Sequence, residues 1–154
     1  MEAFSKFIVF RVNEQEYAAD IQQVVSIEKV QEVVQLPQTP DFIKGVINLR
    51  GSITPILDLK QRLGMQEATY TDQTRILIAS MENVQVGLVV DVATDVLDID
   101  NSVVEPAPDM VGGVSSKYLK GVAKLENRLL LLLDLERVLS FEELHEVQQV
   151  AQED

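Results

Sequence analysis

Hydrophobic residues occur along this chain in short runs that are separated by polar turns. The runs cover residues 6–12 (KFIVFRV), 24–34 (VVSIEKVQEVV), 74–80 (TRILIAS) and 84–92 (VQVGLVVDV). Polar pairs such as Asn13-Glu14 and Glu82-Asn83 stand between them. Runs rich in Val and Ile with this spacing predict short strands joined by tight turns. Small β-barrels are therefore favoured over parallel βαβ units, whose crossovers need longer helical segments.

One segment of 15 residues occurs twice with a similar pattern of apolar and polar positions, which indicates an internal duplication. GVINLRGSITPILDL at 45–59 aligns with GVAKLENRLLLLLDL at 121–135. The upstream matches are Asp20 with Asp91 and Ile27 with Ile99. We therefore expect a single domain over residues 1–154 that is built of two subdomains. The expected ranges are roughly 6–66 for the first repeat, 74–139 for the second and 140–152 for a C-terminal helix.

Arg50 lies in the first copy of this repeated segment, within a stretch that is rich in Val, Ile and Leu. Because side chains alternate along a strand, Ile47 and Leu49 should face one way while Asn48 and Arg50 face the other. The second copy carries Glu126 in the place of Arg50. Arg50 is therefore predicted to end a strand on its polar face, just before a tight turn, and not to enter the core.

The turn and the strand that follow Arg50 differ between the copies. Gly51 aligns with Asn127, and both residue types tolerate a left-handed turn. Pro55 then interrupts the first strand, which predicts an edge position because proline cannot donate to a ladder. The leucine run at 129–133 has no such break and is predicted to be buried on both faces. The first half is thus expected to present the more open edge, beside Arg50.

Capping residues predict short helices after these strands. Asp58 and Asp134 are each placed to cap the start of a helical turn, and Gly64 is placed to end the first one. Ser140 and Glu143 form a capping-box pattern that opens the final helix. The apolar stripe of that helix consists of Leu144, Val147 and Ala151. We expect it to lie on the barrels as a lid.

Composition and charge exclude several classes of function. The 154-residue chain is 46% hydrophobic, which is enough to bury a core, and it contains no Cys or Trp. Disulfides, Cys-based zinc sites and thiol nucleophiles are therefore excluded. The net charge of −12 disfavours a nucleic-acid partner, because phosphates would be repelled. The N-terminus lacks the features of a signal peptide and no apolar run is long enough to cross a bilayer, so we expect a soluble, cytoplasmic protein without membrane insertion.

Few residues are arranged for catalysis or metal binding. Asp58 and Asp134 occupy equivalent positions, as in a two-fold carboxylate dyad, but each is better interpreted as an N-cap. His145, the only histidine, is interpreted as an exposed helical residue and not as a base or phosphoacceptor. The acids at 95–101 lack the spacing of a calcium loop. We therefore expect a binding protein with no enzymatic activity, cofactor or metal.

Four segments together resemble the CheW family of bacterial chemotaxis coupling proteins. They are EYAADIQQVVSI (16–27), FIKGVINLRGSITPILDL (42–59), VGLVVDVATDVL (86–97) and EPAPD (105–109). The resemblance covers nearly the whole chain. It implies a mainly β fold of two intertwined, SH3-like, five-stranded barrels around a shared apolar seam. It also implies an adaptor that links the cytoplasmic tips of methyl-accepting chemoreceptors to the regulatory domain of the histidine kinase CheA, at membrane-associated receptor arrays.

The resemblance also implies contact residues. The receptor-binding positions fall on Val24, Gly45, Arg50, Gly87 and Val96, in a groove between the barrels, where a receptor helix would dock. Core packing is the alternative for both valines. The kinase contact implied after EPAPD is Met110.

The resemblance leaves open what Arg50 contacts. Some relatives carry a glutamate that could pair with this arginine, where the present chain has Ser26. Glu28 or Asp41 is a candidate substitute for that glutamate, and a direct contact between Arg50 and a partner is the alternative.

Three other interpretations compete with the free-standing adaptor. A CheV-type scaffold would carry an appended receiver domain, for which we expect no room in a chain ending at Asp154. A regulatory fragment of the kinase is disfavoured by Met1 and the capped final helix. A carboxylate hydrolase would need Asp58 and Asp134 within a few ångströms of each other.

Overall fold

The protein is mainly β, as the sequence predicts. The computed structural model describes residues 3–35, 37, 43–66, 68–81, 83–111 and 114–138. The strands in these ranges are β1 (Phe4–Val12), β2 (Gln15–Asp20), β3 (Val24–Lys29), β4 (Ile43–Leu49), β5 (Ser52–Asp58), β6 (Arg75–Met81), β7 (Val84–Val90), β8 (Val92–Asp100), β9 (Val104–Glu105), β10 (Met110–Val111), β11 (Val114–Ser115), β12 (Leu119–Leu125) and β13 (Arg128–Leu133). Two short helices follow the equivalent strands β5 and β13, namely α1 (Leu59–Arg62) and α2 (Leu135–Val138). The predicted helix at 140–152, with Ser140, Glu143 and His145, lies outside the described residues.

Two large sheets contain most of these strands, and each sheet takes strands from both halves of the chain. Sheet A has the order β8-β1-β2-β13-β12-β9, and sheet B has the order β3-β6-β7-β5-β4. The pairs β13–β2 and β5–β7 are parallel. The hairpin β1–β2 therefore lies beside the second-half hairpin β12–β13, while β6–β7 lies beside the first-half hairpin β4–β5. The two halves are thus intertwined by strand exchange.

The strand registers refine the alignment of the two halves. Val12 pairs with Gln15 at the first hairpin turn and Met81 pairs with Val84 at the equivalent turn, so this part of the repeat has an offset of 69 residues. With that offset, Ile27 corresponds to Val96. The sequence alignment of Ile27 with Ile99, and of Asp20 with Asp91, is therefore wrong by a few residues. Turn lengths and bulges fix the register, and neither is visible in the apolar pattern.

Buried apolar side chains form three clusters. The shared core, between the sheets, receives residues from both of them and includes Phe10, Tyr17, Leu57, Leu77, Leu88 and Leu131. Core A lies on the other face of sheet A and consists of Phe7, Val9, Ala18, Ile99, Ala123, Leu130 and Leu132. Core B lies on the other face of sheet B and consists of Ile47, Leu49, Ile56, Ile76, Ile78 and Val89.

The leucine run of β13 is buried on both faces, as predicted. Leu131 and Leu133 enter the shared core, whereas Leu130 and Leu132 enter core A. Only the first leucine of the run is substantially exposed, since Leu129 retains 38% of its accessible surface.

The edge position predicted for Pro55 is wrong. Its strand, β5, lies inside sheet B between β7 and β4. Pro55 is tolerated there because the ladder with β7 comprises Ile56, Leu57 and Asp58 and begins only after the proline. The edge strands of sheet B are instead β3 and β4, and Val34 pairs with Val46 of β4 through two backbone hydrogen bonds.

Candidate docking site

Two equivalent edge strands, β3 and β8, border the shared core. Ile27 of β3 pairs with Leu77, which lies in the shared core, and paired residues share one face of a sheet. Val96 of β8 pairs with Ile8, which alternation places on the same face as Phe10 of the shared core. Ile27 is 43% exposed and Val96 is 50% exposed. Each sheet therefore presents an exposed apolar side chain at the border of the shared core.

Val24 belongs to the same border. It begins β3, pairs with Ala79 and is half-buried against the shared core. Core packing therefore accounts for part of its surface, whereas Val96 is exposed. We call Val24, Ile27 and Val96 the seam rim.

A bulge in each edge strand sets which side chains reach the seam rim. The register shifts between Val24 and Ser26 in β3, and at Thr94 in β8. A bulge adds one residue and turns the following side chains toward the opposite face. Ser26 accordingly pairs with a residue of core B, and Asp95 pairs with Val9 of core A. Because of the bulges, Ser26 and Asp95 face core B and core A, and the residues after them, Ile27 and Val96, face the shared core.

Arg50 lies outside the core, as predicted, in the turn between β4 and β5. Its φ is +52° and that of Gly51 is +88°, so two left-handed residues form this hairpin turn. The corresponding two-residue turn of the other hairpin is Glu126-Asn127, which confirms the predicted alignment, but neither residue has a positive φ, so the left-handed geometry is not repeated there. Arg50 is a non-glycine residue in a conformation that costs ~1 kcal/mol or more.

The partner of Arg50 within the fold is Glu28. Arg50 Nη2 donates to Glu28 Oε2 at 3.1 Å, and the two side chains are 70% and 15% exposed. The Ser26 hydroxyl beside Glu28, and then the Arg50 guanidinium, lower the pKa of the Glu28 carboxyl. The Ser26 oxygen itself makes no hydrogen bond of standard geometry, so the ion pair is the better-defined contact. Asp41, the other candidate, lies outside the described residues.

This ion pair shows that sheet B curls. Glu28 is on β3, one edge of the sheet, and Arg50 follows β4, the other edge. Strand spacings of ~4.8 Å would separate those edges by roughly 19 Å in a flat sheet. A direct side-chain contact therefore requires the two edges to approach each other.

The two glycines that were predicted to contact the receptor are buried within sheet B. Gly45 and Gly87 both pair with Ile56, from opposite sides. Gly45 has φ +144°, and a Cβ there would lie 2.0 Å from the Val34 carbonyl oxygen. A Cβ on Gly87 would lie 2.5 Å from Ile56 Cδ1. Each glycine is thus required by close packing.

Met110 lies on a separate surface. It pairs with Ser115 in the small hairpin β10–β11, which belongs to neither large sheet, and it is 60% exposed. The structure therefore leaves this side chain accessible.

Sequence reasoning missed a second arginine, Arg128, at the start of β13. Its Nε and Nη2 donate to the two carboxylate oxygens of Glu16 at 3.0 and 2.7 Å. Nη1 and Nη2 each donate to Asp95 at 3.3 Å. Arg128 lowers the pKa of both carboxyl groups, and Thr94 contributes at Asp95. Because Arg128 directly follows the polar turn Glu126-Asn127, the sequence pattern does not single it out.

The two aspartates considered for catalysis are helix caps. Asp58 is buried and accepts hydrogen bonds from the backbone N–H groups of Lys60, Gln61 and Ala68. Asp134 accepts from the N–H of Glu136. The N-cap interpretation is confirmed. In the part of the chain that the structure describes, no three His, Cys, Asp or Glu residues are grouped as a metal site would require.

Comparison with known proteins identifies relatives over nearly the whole chain. Residues 6–143 match the family model of the CheW-like domain. The chain is 44% identical over 137 residues to "Chemotaxis protein CheW" of Bacillus subtilis, covering 89% of this chain and 88% of that protein. It is 38% identical over 146 residues to the protein of the same name from Klebsiella aerogenes, covering 95% and 88%.

A solved structure agrees with this assignment. The scaffolding protein TtCheW from Thermoanaerobacter tengcongensis superposes with a TM-score of 0.83 at 31% identity, over 93% of this chain and 92% of that one. Among the described residues, no helix is both long and apolar enough to span a membrane.

Proposed function

The chain belongs to the CheW-like family, and on that premise we propose that it is a non-enzymatic adaptor that couples methyl-accepting chemoreceptors to the histidine kinase CheA. The seam rim carries this proposal. Val24, Ile27 and Val96 supply apolar surface along two edge strands, and an apolar stripe of a receptor helix fits such a border. We place the protein in the cytoplasm, where receptor tips would recruit it to membrane-associated arrays.

We further propose that each of the two large sheets closes into a small SH3-like barrel. Core A and core B would be the two barrel interiors, and the shared core would be the seam between them. The contact of Arg50 with Glu28 supports closure of one barrel, and the contact of Arg128 with Asp95 supports closure of the other. Because the halves exchange strands, the two barrels would form a single domain.

The proposed contact residues divide between two partners. Val96 and Arg50 are exposed and would meet the receptor directly, while Val24 would do so with the part of its surface that the core leaves free. Gly45 and Gly87 would support the receptor site from within sheet B. Met110, on its own hairpin, would meet the regulatory domain of the kinase.

Co-sedimentation with receptor-containing membranes tests this proposal. The wild-type protein should be retained by these membranes without the kinase and should carry added kinase into the pellet. Val96→Asp should lose receptor affinity by about tenfold or more, because it places a charge in an apolar contact. Met110→Asp is the matched control at another exposed apolar residue, and it should stay with the receptors while recruiting less kinase. Wild-type protein that remains in the supernatant under both conditions would refute the adaptor function.

A further inference from the structure

The strand that carries Val96 is anchored at a specific neighbouring residue. Asp95 precedes Val96 on β8 and points to the opposite face, where Arg128 binds it. The Thr94 hydroxyl also donates to Asp95 Oδ1, at 2.7 Å. The side chain of Asp95 is thus fixed by two donors while the next side chain stays exposed.

At this point β8 is paired on one side only and its ladder is irregular. It is an edge strand, so its ladder is with β1 only. That ladder is interrupted by the bulge between Ala93 and Asp95, directly before the exposed valine. Arg128 reaches this position from β13, although β1 and β2 lie between the two strands. The arginine therefore supplies a second attachment where the ladder is irregular.

The two ion pairs of Arg128 have different consequences. The ion pair with Glu16 joins β13 to its immediate neighbour β2, which the parallel ladder already holds. The ion pair with Asp95 reaches the strand of the seam rim. Loss of either one removes a single ion pair, but only loss of the pair with Asp95 detaches Arg128 from the strand that carries Val96.

We propose that Arg128 is a positioning residue for the receptor site and holds β8, through Asp95, where Val96 can meet a receptor helix. This inference rests on the proposed adaptor function. Arg128 acts from the face of sheet A opposite to the seam rim and needs no contact with the partner. It is the counterpart of Arg50, which holds the other edge strand, β3, through Glu28.

Two near-isosteric variants separate positioning from general stability. Asp95→Asn weakens the ion pair between Arg128 and β8. Its matched control, Glu16→Gln, weakens the ion pair between Arg128 and β2. Both should lower the urea midpoint by similar small amounts. Receptor affinity should fall about three- to tenfold for Asp95→Asn and stay within about twofold of wild type for Glu16→Gln, the size typical of residues that act on a site indirectly. Amide hydrogen exchange should speed up at residues 94–97 only in Asp95→Asn.

The outcomes distinguish this inference from the adaptor function itself. Wild-type protein that does not bind receptor membranes would overturn the adaptor function and, with it, the positioning role. Wild-type protein that binds, with Asp95→Asn binding equally well, would overturn the positioning role alone. Equal losses of affinity in Asp95→Asn and Glu16→Gln would also overturn it, because a purely structural role predicts that result.

Discussion

At the scale of single residues, two isolated arginines have comparable tasks in the two sheets. Arg50 joins the turn after β4 to Glu28 on β3, and Arg128 joins β13 to Asp95 on β8. The pairs differ in exposure, since the side chain of Arg50 is 70% exposed and that of Arg128 is 30% exposed. Arg50 therefore has more surface left for a partner, whereas Arg128 is committed to the fold.

Arg50→Glu should remain folded and lose receptor-dependent kinase activation. An exposed ion pair contributes only ~0–1 kcal/mol, so the melting temperature should fall by a few degrees at most. Activation should be lost because the substitution removes an exposed donor and places two carboxylates side by side. Thermal melting and a kinase assay with receptors measure the two effects.

Glu126→Arg is the matched control for that change. It reverses the charge at the equivalent position of the other hairpin, where the side chain is exposed, and coupling should stay largely intact. An Arg50→Glu protein that unfolds, or that still couples fully, would exclude Arg50 as a contact residue.

Gly87→Ala should destabilise the protein through overpacking in core B. The new Cβ would lie 2.5 Å from Ile56 Cδ1 and 2.7 Å from Ile76 Cγ2. Such overpacking costs ~1–3 kcal/mol. Ile56→Val removes the Cδ1 atom, so the double variant should recover part of the loss in a urea-unfolding double-mutant cycle. Additive losses in the cycle would show that this contact is not the cause.

At the scale of elements, the sequence predicts strands better than it predicts their neighbours. The leucine run of β13 is two-sided in the structure because its alternate residues enter different cores. Pro55 predicts an edge strand, because a proline within a strand is a local signal of an edge position. Its strand is internal, since β5 pairs with β7 from the other half of the chain. Edge status is a non-local property, and a local pattern cannot specify it.

Alanine substitutions in β13 test the two-sided burial. Leu131→Ala empties volume in the shared core and Leu132→Ala does so in core A, so each should cost ~2–5 kcal/mol in the free energy of unfolding. Leu129→Ala, at an exposed position of the same strand, should change it by only ~0.5 kcal/mol. Urea midpoints that are equal for all three variants would contradict the assignment of β13 to two cores.

The ion pairs that join β13, β2 and β8 should make stability depend on acid pH. The folded-state pKa values of Glu16 and Asp95 are lowered, mainly by hydrogen bonds from Arg128. Their stabilisation is therefore fully present above the ordinary carboxyl pKa of ~4 and is lost as the pH falls through the lowered values. Arg128→Met should cost ~1–2 kcal/mol at pH 7 and much less near pH 2. A cost that stays constant over this range would show that packing, not charge, explains the loss.

At the scale of the whole molecule, the family is readable from the sequence, and the resemblance to it implies intertwined barrels, but the hydrophobic pattern alone does not indicate which strands pair across the two halves. The repeated segment at 45–59 and 121–135 predicts two similar units. It does not reveal that β1–β2 joins the sheet of β12–β13, because pairing between distant segments leaves no local signal. The candidate docking site is predictable only in part. The resemblance implies contacts at Val96 and Arg50, and both side chains are exposed in the structure. Ile27 and the Arg128 cluster depend on bulges and on the curling of the sheets, which the sequence pattern does not show.

The adaptor function is tested by the rate of CheA autophosphorylation in membranes that contain chemoreceptors, measured with and without this protein. An adaptor should raise the rate strongly when receptors are present and leave it nearly unchanged when they are absent, because it acts by joining the two partners. Val96→Asp should abolish the receptor-dependent increase while keeping a normal melting curve. A kinase rate that is the same with and without the wild-type protein on receptor membranes would show that this protein is not an adaptor between receptors and CheA.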